Sequence, residues 1–522
     1  MLFQGLYRCA AAWLLLTVLA GALGCNASSD RPTPAPRSAK ASKRAPAGES
    51  ADATQTKADR EIWDVIRMDG KRVGYDHKTE RTETQDGRTL RRTAAETQML
   101  IKRFGEPVEM INRYTSLETL DGKLLSFTSE GLPADSTGTV QDGKLTIETA
   151  SAGKKVTRTI EWPDDAGGFF APEQSLRAQP MQPGETRTLR YLQPAFNTLG
   201  TEELTAGDYE PTELRSGTQD LLRIESRLTI EGSAQPITAT HWADRSGELL
   251  KTVMPAMQLT LYRASEEEAT AAGDEAPLDL GVSSVVPLAQ PFDSARQSHR
   301  AVYRVEVSDG NPAAAFPTCA TQHPRATGPH TAELTVTSLD PQSPPADIGP
   351  AAPPAPGDHE PNSLIQSDDP AIVAMSREAA GAKKSPLAKA LALERYVHEN
   401  IREKNFSTTF ASAAEVAKQM SGDCSEHAVL LAALARAAEI PARAAIGLVY
   451  APSEGGFAYH MWNELFIDGR WVPLDATLGQ GRVGADHLKL ADSDLRDATG
   501  LASFLPVVEV LGKLKIELVK AD

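Results

Sequence analysis

The stretch that decides the fold is SGDCSEHAVLLAALARAAEIPARAAIGLVY, from Ser421 to Tyr450. Its apolar residues recur with helical spacing from Cys424 until just before Pro441, which cannot continue a helix. The sequence therefore predicts a helix that begins at Cys424. Unpaired N–H groups and partial positive charge at a helix start lower a thiol pKa and favour the nucleophilic thiolate. On its own, a cysteine in this setting is more commonly a buried packing residue.

A second stretch, YHMWNELFIDGRWVPLDAT at residues 459–477, predicts a β-hairpin. Its Asp468-Gly469 pair is typical of a two-residue turn, and such a turn fixes the pairing of the strands. In that register one face of the hairpin carries His460, Trp462, Asp475 and Thr477. His460 and Asp475 are then diagonal neighbours, about 7–8 Å apart at the backbone. A histidine beside a carboxylate is the base and orienting pair that a thiol nucleophile requires.

Together the two stretches resemble the core of the bacterial transglutaminase-like superfamily. That pattern combines a Gly-x-Cys helix start, an Ala-Arg-Ala-x-Gly-Ile-Pro-Ala-Arg exit, a His-x-Trp strand and a Trp-x-x-Leu-Asp strand. The catalytic blocks match in order, and the resemblance covers roughly residues 362–490. It implies a papain-like fold with Cys424 as nucleophile, His460 as general base and Asp475 as orienting residue. One departure is Glu439, where the family usually has Gly, and it concerns only the local turn.

The chemistry that the resemblance implies is acyl transfer on amide bonds of proteins or peptides. The Cys424 thiolate attacks a carbonyl group to give a thioester, and the backbone N–H of Cys424 is one oxyanion donor. Water or an amine then resolves the thioester, and we expect a peptidase or amidase rather than a cross-linking enzyme. Tyr459 and Trp462 are expected to line the site. The alternative is a catalytically silent envelope scaffold that binds proteins, but an intact Cys, His and Asp set favours the enzyme.

His427 and a metal offer alternatives at the same site. His427 follows Cys424 by three residues on the same helical face and could compete as base. A histidine here is common and non-catalytic in the family, so a supporting role is expected. Cys424, His427, His460 and Asp475 could also ligate zinc, but their spacing fits no closed zinc framework. No Asp-x-Asp-x-Asp-Gly calcium loop is present. We therefore predict no metal and no cofactor.

The N-terminal segment predicts export and lipidation. Residues 1–24 combine Arg8 with an apolar run that is too short to span a bilayer, which is typical of a signal peptide. The run ends in Ala-Leu-Gly-Cys, which resembles a bacterial lipobox with Cys25 as the lipidated residue. Residues 25–60 lack aromatic, Leu, Ile and Val side chains and are predicted to be a disordered tether. We expect an exported, lipid-anchored cell envelope protein, in the periplasm or on the outer surface.

Between tether and catalytic region the sequence predicts β-structure. Asp-Gly pairs lie between short alternating runs and predict hairpins at 69–70, 86–87, 121–122 and 142–143. Residues 61–263 are thus an antiparallel β-rich domain, without a recognisable set of catalytic residues. The remaining predicted parts are a connector with a short β extension and a Pro-rich linker at 264–361, the catalytic domain at 362–490, and a C-terminal strand extension at 491–522. The predicted fold class is α+β, with helices packed on an antiparallel sheet in the catalytic domain.

Composition excludes several classes of protein. A chain of 522 residues is too long for one ordinary core, and four cysteines exclude a disulfide-stapled scaffold. The formal net charge of −16 argues against nucleic acid as a partner. The expected partners are a protein or peptide substrate and, through the lipid anchor, the membrane. Cys9 would leave with the signal peptide and Cys25 would carry lipid, so Cys319 and Cys424 would be the thiols of the mature protein.

Overall fold

The computed structural model describes most of the chain from residue 58 onward. The described residues are 58–131, 134–151, 154–231, 236–271, 276–292, 295–308, 310–341, 352–402, 411–496 and 504–522. The predicted signal peptide, Cys25, nearly all of the tether and part of the Pro-rich linker lie outside these ranges. Within them the chain forms three β-sheets and several helices.

The first sheet has fifteen strands in the order β8-β7-β6-β5-β4-β3-β2-β1-β15-β14-β13-β12-β11-β10-β9. These strands are β1 (Arg60–Met68), β2 (Lys71–Gln85), β3 (Arg88–Arg103), β4 (Glu106–Thr119), β5 (Leu124–Glu130), β6 (Asp135–Gln141), β7 (Lys144–Ser151), β8 (Lys154–Glu161), β9 (Ala166–Gly167), β10 (Thr186–Gln193), β11 (Thr198–Leu214), β12 (Gly217–Ile230), β13 (Ile237–Ala243), β14 (Leu249–Met254) and β15 (Leu259–Ala264). Helix α1 (Ala171–Ala178) lies between β9 and β10. Neighbours are antiparallel except β9 and β10, so the prediction of an antiparallel β-rich region is confirmed.

The hairpin turns of this sheet follow from backbone conformation. All four Asp-Gly pairs connect consecutive strands, and Asp69, Asp86 and Asp142 have φ of 48°, 51° and 52°. Asp followed by Gly tolerates this left-handed geometry, which matches the twist of the flanking strands. Phe104 and Gly105 form the same kind of turn between β3 and β4, with φ of 48° and 90°. This turn could not be predicted from sequence, because Phe rarely adopts positive φ.

The next segment builds a second sheet together with the C-terminus. It contains α2 (Glu266–Thr270), α3 (Leu280–Ser283), β16 (Val286–Pro287), β17 (Arg300–Val307), α4 (Pro312–Ala315), β18 (Gln322–Gly328) and β19 (Thr331–Thr337). The sheet order is β18-β19-β17-β24, and β24 (Leu514–Ala521) follows helix α9 (Leu505–Val510). Strands thus lie within residues 264–361 and near the C-terminus. β16 belongs instead to the third sheet.

Four helices follow β19 and precede the strands of the third sheet other than β16, namely α5 (Pro370–Ala380), α6 (Pro386–Asn400), α7 (Ala413–Gln419) and α8 (Cys424–Ala437). Ser385 caps α6, because its Oγ accepts from the backbone N–H of Ala388 at 3.2 Å. A capping box begins α7, because the Glu415 carboxylate accepts from the backbone N–H of Ser412 at 3.0 Å. Helix α8 is buried along nearly its whole length, and its central residues 428–435 are all apolar.

The turn at the C-terminal end of α8 contains Glu439, the residue that differs from the family pattern. The backbone N–H of Ile440 donates to the carbonyl of Ala435 at 2.9 Å, and that of Glu439 donates to Arg436 at 3.0 Å. These two bonds form a Schellman motif, which requires a left-handed residue after the helix. Glu439 occupies that position with φ of 65°. Since only glycine adopts this conformation without cost, the chain holds a strained residue where the family usually has Gly.

The third sheet is antiparallel and has the order β16-β21-β20-β23, with β22 pairing β21. Its remaining strands are β20 (Ala442–Ala451), β21 (Gly456–Ile467), β22 (Arg470–Leu474) and β23 (His487–Ser493). The β21–β22 hairpin has the predicted register, with Ile467 opposite Arg470. Helix α8 packs on β20 and β21, and the predicted α+β class is confirmed. None of the helices in the described ranges is long and apolar enough to cross a membrane.

Candidate active site

Cys424 is the first residue of α8 and is buried, with 1% of its surface exposed. Helix α8 begins here because Oδ1 of Asp423 accepts from the backbone N–H of Ser425 at 2.9 Å. The Glu426 carboxylate in turn accepts from the backbone N–H of Asp423 at 2.9 Å, which completes a capping box. Among the described cysteines, neither Cys424 nor Cys319 is in a disulfide. The thiol thus lies at the positive end of a well-capped helix, where thiolate is favoured.

His460 and Asp475 form a buried hydrogen-bonded pair. Nε2 of His460 donates to Oδ2 of Asp475 at 2.8 Å, and the two side chains are 0% and 1% exposed. The β21–β22 ladder ends at Asn463 and Leu474, so the pair forms just beyond the ladder rather than within it. Since Nε2 faces the carboxylate, Nδ1 is the ring nitrogen that would exchange a proton with a thiol.

The hydrogen bonds of Asp475 fix its carboxylate firmly. Its Oδ1 accepts from the backbone N–H groups of Thr477 at 2.8 Å and Leu478 at 3.4 Å. Burial alone would raise the pKa of Asp475, but the charges and hydrogen bonds of His460 and His487 outweigh burial and hold that pKa well below its usual range. The carboxylate is therefore ionised throughout the physiological pH range and favours a protonated imidazole beside it.

His487 is a second imidazole on the same carboxylate. Its Nε2 donates to Oδ2 of Asp475 at 3.2 Å, and its Nδ1 donates to Oδ1 of Asp486 at 2.8 Å. Because a carboxylate only accepts, this geometry fits an imidazolium that carries protons on both nitrogens. Burial would lower the pKa of His487, but Asp486 and the bonds to both carboxylates raise it. The sequence did not single out His487, since only the pairing of β23 with β20 brings it to the site.

The remaining predicted site residues lie in three different settings. Trp462 stacks on His460 with ring centroids 6.2 Å apart and meets His487 edge-on at 5.2 Å, so it covers both imidazoles. The side chain of Tyr459 points to the other face of β21, because side chains alternate along a strand, and the structure does not bring it beside Trp462. Nδ1 of His427 donates to the backbone carbonyl of Asp423 at 2.6 Å.

His427 is poorly suited to act as the base. Burial lowers the pKa of His427 to about 4, so its ring is neutral at neutral pH. Its Nδ1 proton is held by a carbonyl of the preceding turn. The charges of Asp475 and Asp423 offset only part of this lowering. Nδ2 of Asn463 in β21 donates to the backbone carbonyl of Ala428 at 2.9 Å, which places the start of α8 beside the strand that carries His460.

Three of these side chains could hold a metal ion. The ligand atoms of His460, Asp475 and His487 lie within 4.8 Å of one another. This set differs from the zinc alternative considered from the sequence, because it contains neither Cys424 nor His427. Both rings already donate to the same oxygen of Asp475, so the three side chains form a closed hydrogen-bonded group that a metal would have to disrupt.

A side chain from the first sheet completes the surroundings of the thiol. Nη2 of Arg103 donates to Oδ2 of Asp423 at 2.6 Å, and both side chains are at most 1% exposed. Arg103 lies 320 residues before Asp423 in the sequence. No local pattern in the sequence could have connected them.

Comparison with known proteins identifies the family of one segment of the chain. Residues 373–476 match the model of the transglutaminase-like superfamily, so this segment is a transglutaminase-like domain, as predicted. It contains Cys424, His460 and Asp475. No curated protein matches the chain.

Several solved structures show some similarity to this chain, among them the following three. A candidate cysteine protease from Cytophaga hutchinsonii is 19% identical over 42% of this chain and 83% of its own, with a TM-score of 0.27. A β-barrel-like protein of a domain of unknown function from Brucella abortus is 10% identical over 39% of this chain and 93% of its own, with a TM-score of 0.27. A candidate protease from Parabacteroides distasonis is 9% identical over 68% of each chain, with a TM-score of 0.18.

Proposed function

We propose that the transglutaminase-like domain of this chain catalyses thiol-dependent acyl transfer on amide bonds of proteins or peptides. Cys424 is the nucleophile, His460 the general base and acid, and Asp475 the residue that orients His460. The observation that carries the proposal is the buried bond from His460 Nε2 to Asp475 Oδ2. It fixes the tautomer and orientation of the imidazole and stabilises the imidazolium that a thiolate needs as its partner.

The reaction would proceed in two steps that share one thioester. The Cys424 thiolate attacks the amide carbonyl carbon, and the C–N bond breaks as the His460 imidazolium protonates the leaving amine. The acyl group is then held as a thioester on Cys424. Water attacks this thioester, His460 accepts the proton of the water, and the carboxylic acid leaves as the thiol is regenerated. An amine in place of water would give transamidation, but hydrolysis requires no second substrate site, so we propose hydrolysis as the main outcome.

The charge balance of the site supports this chemistry. Asp475 is ionised and accepts from both His460 and His487, so the pocket holds a fixed negative charge behind the catalytic imidazole. Trp462 contacts both imidazoles, and both are buried away from solvent. Exclusion of water strengthens the hydrogen bonds of this group.

A second candidate function is a catalytically silent scaffold. The observation that favours it is burial, because Cys424 is 1% and His460 0% exposed. A nucleophile in this state requires some opening of the site before a protein substrate can reach the sulfur. A scaffold would keep the fold but leave Cys424 with the reactivity of an ordinary buried thiol.

A small electrophile distinguishes the two candidates. Iodoacetamide is small enough to probe a buried thiol, and peptide mass spectrometry assigns the label to Cys424 rather than to another cysteine. We expect rapid labelling at neutral pH in the native protein and a sharp loss in His460→Ala. His241→Ala serves as matched control, since His241 is also buried but bonds Thr252 in the first sheet. Equal labelling in wild type and His460→Ala would support the scaffold.

Substrates can be identified by trapping the thioester. The wild-type protein is mixed with envelope extract and quenched in acid, and the acyl group on Cys424 is identified by mass spectrometry. A peptide acyl group on Cys424 supports the proposed substrate class. If no acyl group is found on Cys424 at any reaction time, the proposal is contradicted.

We also propose that the protein is exported and anchored in the cell envelope through lipid on Cys25. The proposal rests on the apolar N-terminal run that ends in Ala-Leu-Gly-Cys. In cells fed a radiolabelled fatty acid, the wild type should incorporate label and Cys25→Ser should not. Equal incorporation in both would contradict lipidation at Cys25.

A further inference from the structure

The fifteen-stranded sheet reaches the start of the Cys424 helix through one side chain. Arg103, the last residue of β3, is buried and donates to Oδ2 of Asp423 at 2.6 Å. Oδ1 of the same carboxylate caps α8 by accepting from Ser425. The guanidinium and the helix start therefore share one carboxylate, directly before Cys424 in the chain.

The turn that follows Arg103 is fastened to the segment before β16. Asp279 accepts from the backbone N–H groups of Phe104 at 2.9 Å and Gly105 at 2.7 Å. The backbone N–H of Lys102 donates to the carbonyl of Leu278 at 2.7 Å. These three bonds hold the β3–β4 turn in place, so the position of Arg103 does not depend on its ion pair alone.

The same segment continues to the strand that carries His460. β16 pairs with β21, with Val286 opposite Phe457, three residues before His460. The first sheet is thus joined to both halves of the proposed site, to the nucleophile helix through Arg103 and to the histidine strand through β16. Because of these two attachments, we expect the fifteen-stranded sheet to influence the proposed site as well as precede it in the chain.

The charges around Cys424 show what Arg103 supplies. A buried carboxylate at Asp423 would by itself disfavour a thiolate next to it, because two negative charges repel in a low-dielectric environment. Glu426 adds little negative charge at neutral pH, since burial and the charge of Asp423 raise its pKa to about 8. The Arg103 guanidinium is the cation that pairs with Asp423.

We propose that Arg103 is a positioning residue of the thiol centre, which neutralises Asp423 so that Cys424 can exist as thiolate, and that the fifteen-stranded sheet thereby forms part of the active site. This inference rests on the proposed function of Cys424 as an activated nucleophile. Arg103 acts through Asp423, and its effect is measured on the thiol itself.

The test is the pH dependence of iodoacetamide labelling at Cys424, followed by peptide mass spectrometry in the full chain. In wild type we expect the midpoint well below the ordinary thiol value of about 8.5. In Arg103→Met the unpaired Asp423 should raise the midpoint by about one pH unit or more. At pH values below the wild-type midpoint, labelling should then fall about tenfold. Arg103→Lys keeps the charge and should remain close to wild type.

Two further variants separate charge from folding. Arg177→Met removes an ion pair between helix α1 and strand β2 of the same sheet, where Arg177 donates to Glu80 at 2.7 and 2.8 Å, and it should leave the midpoint unchanged. Asp423→Asn combined with Arg103→Met removes both charges, while Asn still caps the helix. This double variant should recover most of the labelling lost in Arg103→Met, even if the single variant is too unstable to study.

The outcomes are distinguishable. The role of Arg103 is overturned if the wild-type midpoint is low and Arg103→Met leaves it unchanged. It is also overturned if Cys424 is labelled no faster in the double variant than in a folded Arg103→Met variant. In both cases the proposed function still stands. A wild-type midpoint near that of an ordinary thiol overturns the proposed function, and the role of Arg103 falls with it.

Discussion

Replacing Asp475 by Asn tests the centre of the proposed site with the smallest change in shape. The carboxylate receives four hydrogen bonds, from the rings of His460 and His487 on Oδ2 and from the backbone N–H groups of Thr477 and Leu478 on Oδ1. An amide has one accepting oxygen and one donating nitrogen. Whichever way the amide points, two of these four donors lose their acceptor.

The magnitude follows from the bonds that are lost. A hydrogen bond to a charged group contributes about 1.5–3 kcal/mol, and in either orientation of the amide His460 no longer has a charged acceptor, so the imidazolium population should fall about 10- to 100-fold. Labelling of Cys424 by iodoacetamide at neutral pH should fall by the same factor. Breaking this buried charge pair should also reduce the free energy of unfolding by about 3–5 kcal/mol.

Two assays and one matched control separate catalysis from stability. The labelling rate of Cys424 is measured by peptide mass spectrometry at a temperature where the variant is folded, and stability is measured by urea unfolding. Asp486→Asn is the control, because Asp486 is also buried and binds His487 but makes no contact with His460 among the described hydrogen bonds. The Asp486→Asn protein should be less stable in urea, and yet iodoacetamide should label its Cys424 at nearly the wild-type rate.

The assigned role of Asp475 is refuted if the Asp475→Asn protein is folded and iodoacetamide labels its Cys424 as fast as in wild type. Asp475 would then be a structural carboxylate, and the thiol would owe its reactivity to the helix start alone. Equal slowing in Asp475→Asn and Asp486→Asn would also contradict the assigned role, because it would trace the effect to loss of stability.

Three further changes have defined outcomes. Glu439→Gly should raise the free energy of unfolding by about 0.5–1 kcal/mol in urea titrations, because glycine relieves the left-handed strain at the end of α8, and a loss of stability would contradict this reasoning. The pKa of His487 is raised above its ordinary 6.5, so its stabilising contribution is full below that pH and is lost as pH rises through the folded-state pKa. The stability difference between wild type and His487→Gln should therefore shrink from acidic to alkaline pH in unfolding curves, and a constant difference would count against the imidazolium. EDTA should leave Cys424 labelling unchanged, whereas loss of labelling that zinc restores would reveal a metal at His460, Asp475 and His487.

Local patterns were sufficient to predict much of the fold. The Asp-Gly pairs specify left-handed turns, and the capping residues Ser385 and Ser412 specify where two helices begin. The two-residue turn at Asp468-Gly469 fixed the register of the hairpin, and from that register His460 and Asp475 were expected to be neighbours. These features succeed because each depends on residues close in the chain.

What the sequence could not predict depends on contacts between distant segments. His487 joins Asp475 only because β23 pairs with β20, and no motif marks that strand. Arg103 reaches Asp423 across 320 residues, through a turn at Phe104 that carries no turn signal. Long-range pairing is set by the packing of whole sheets, which single-sequence periodicity does not encode.

The order of strands in the third sheet has a practical consequence for recombinant expression. A fragment cut at residues 373–476 would retain Cys424 but lose β16 and β23, which pair with β21 and β20 in the intact sheet. The buried, apolar strand β20 would then become an open edge, and such edges pair with other chains. We expect that fragment to aggregate on expression, whereas a chain that begins before β1 and extends through β24 keeps every sheet of the described structure complete.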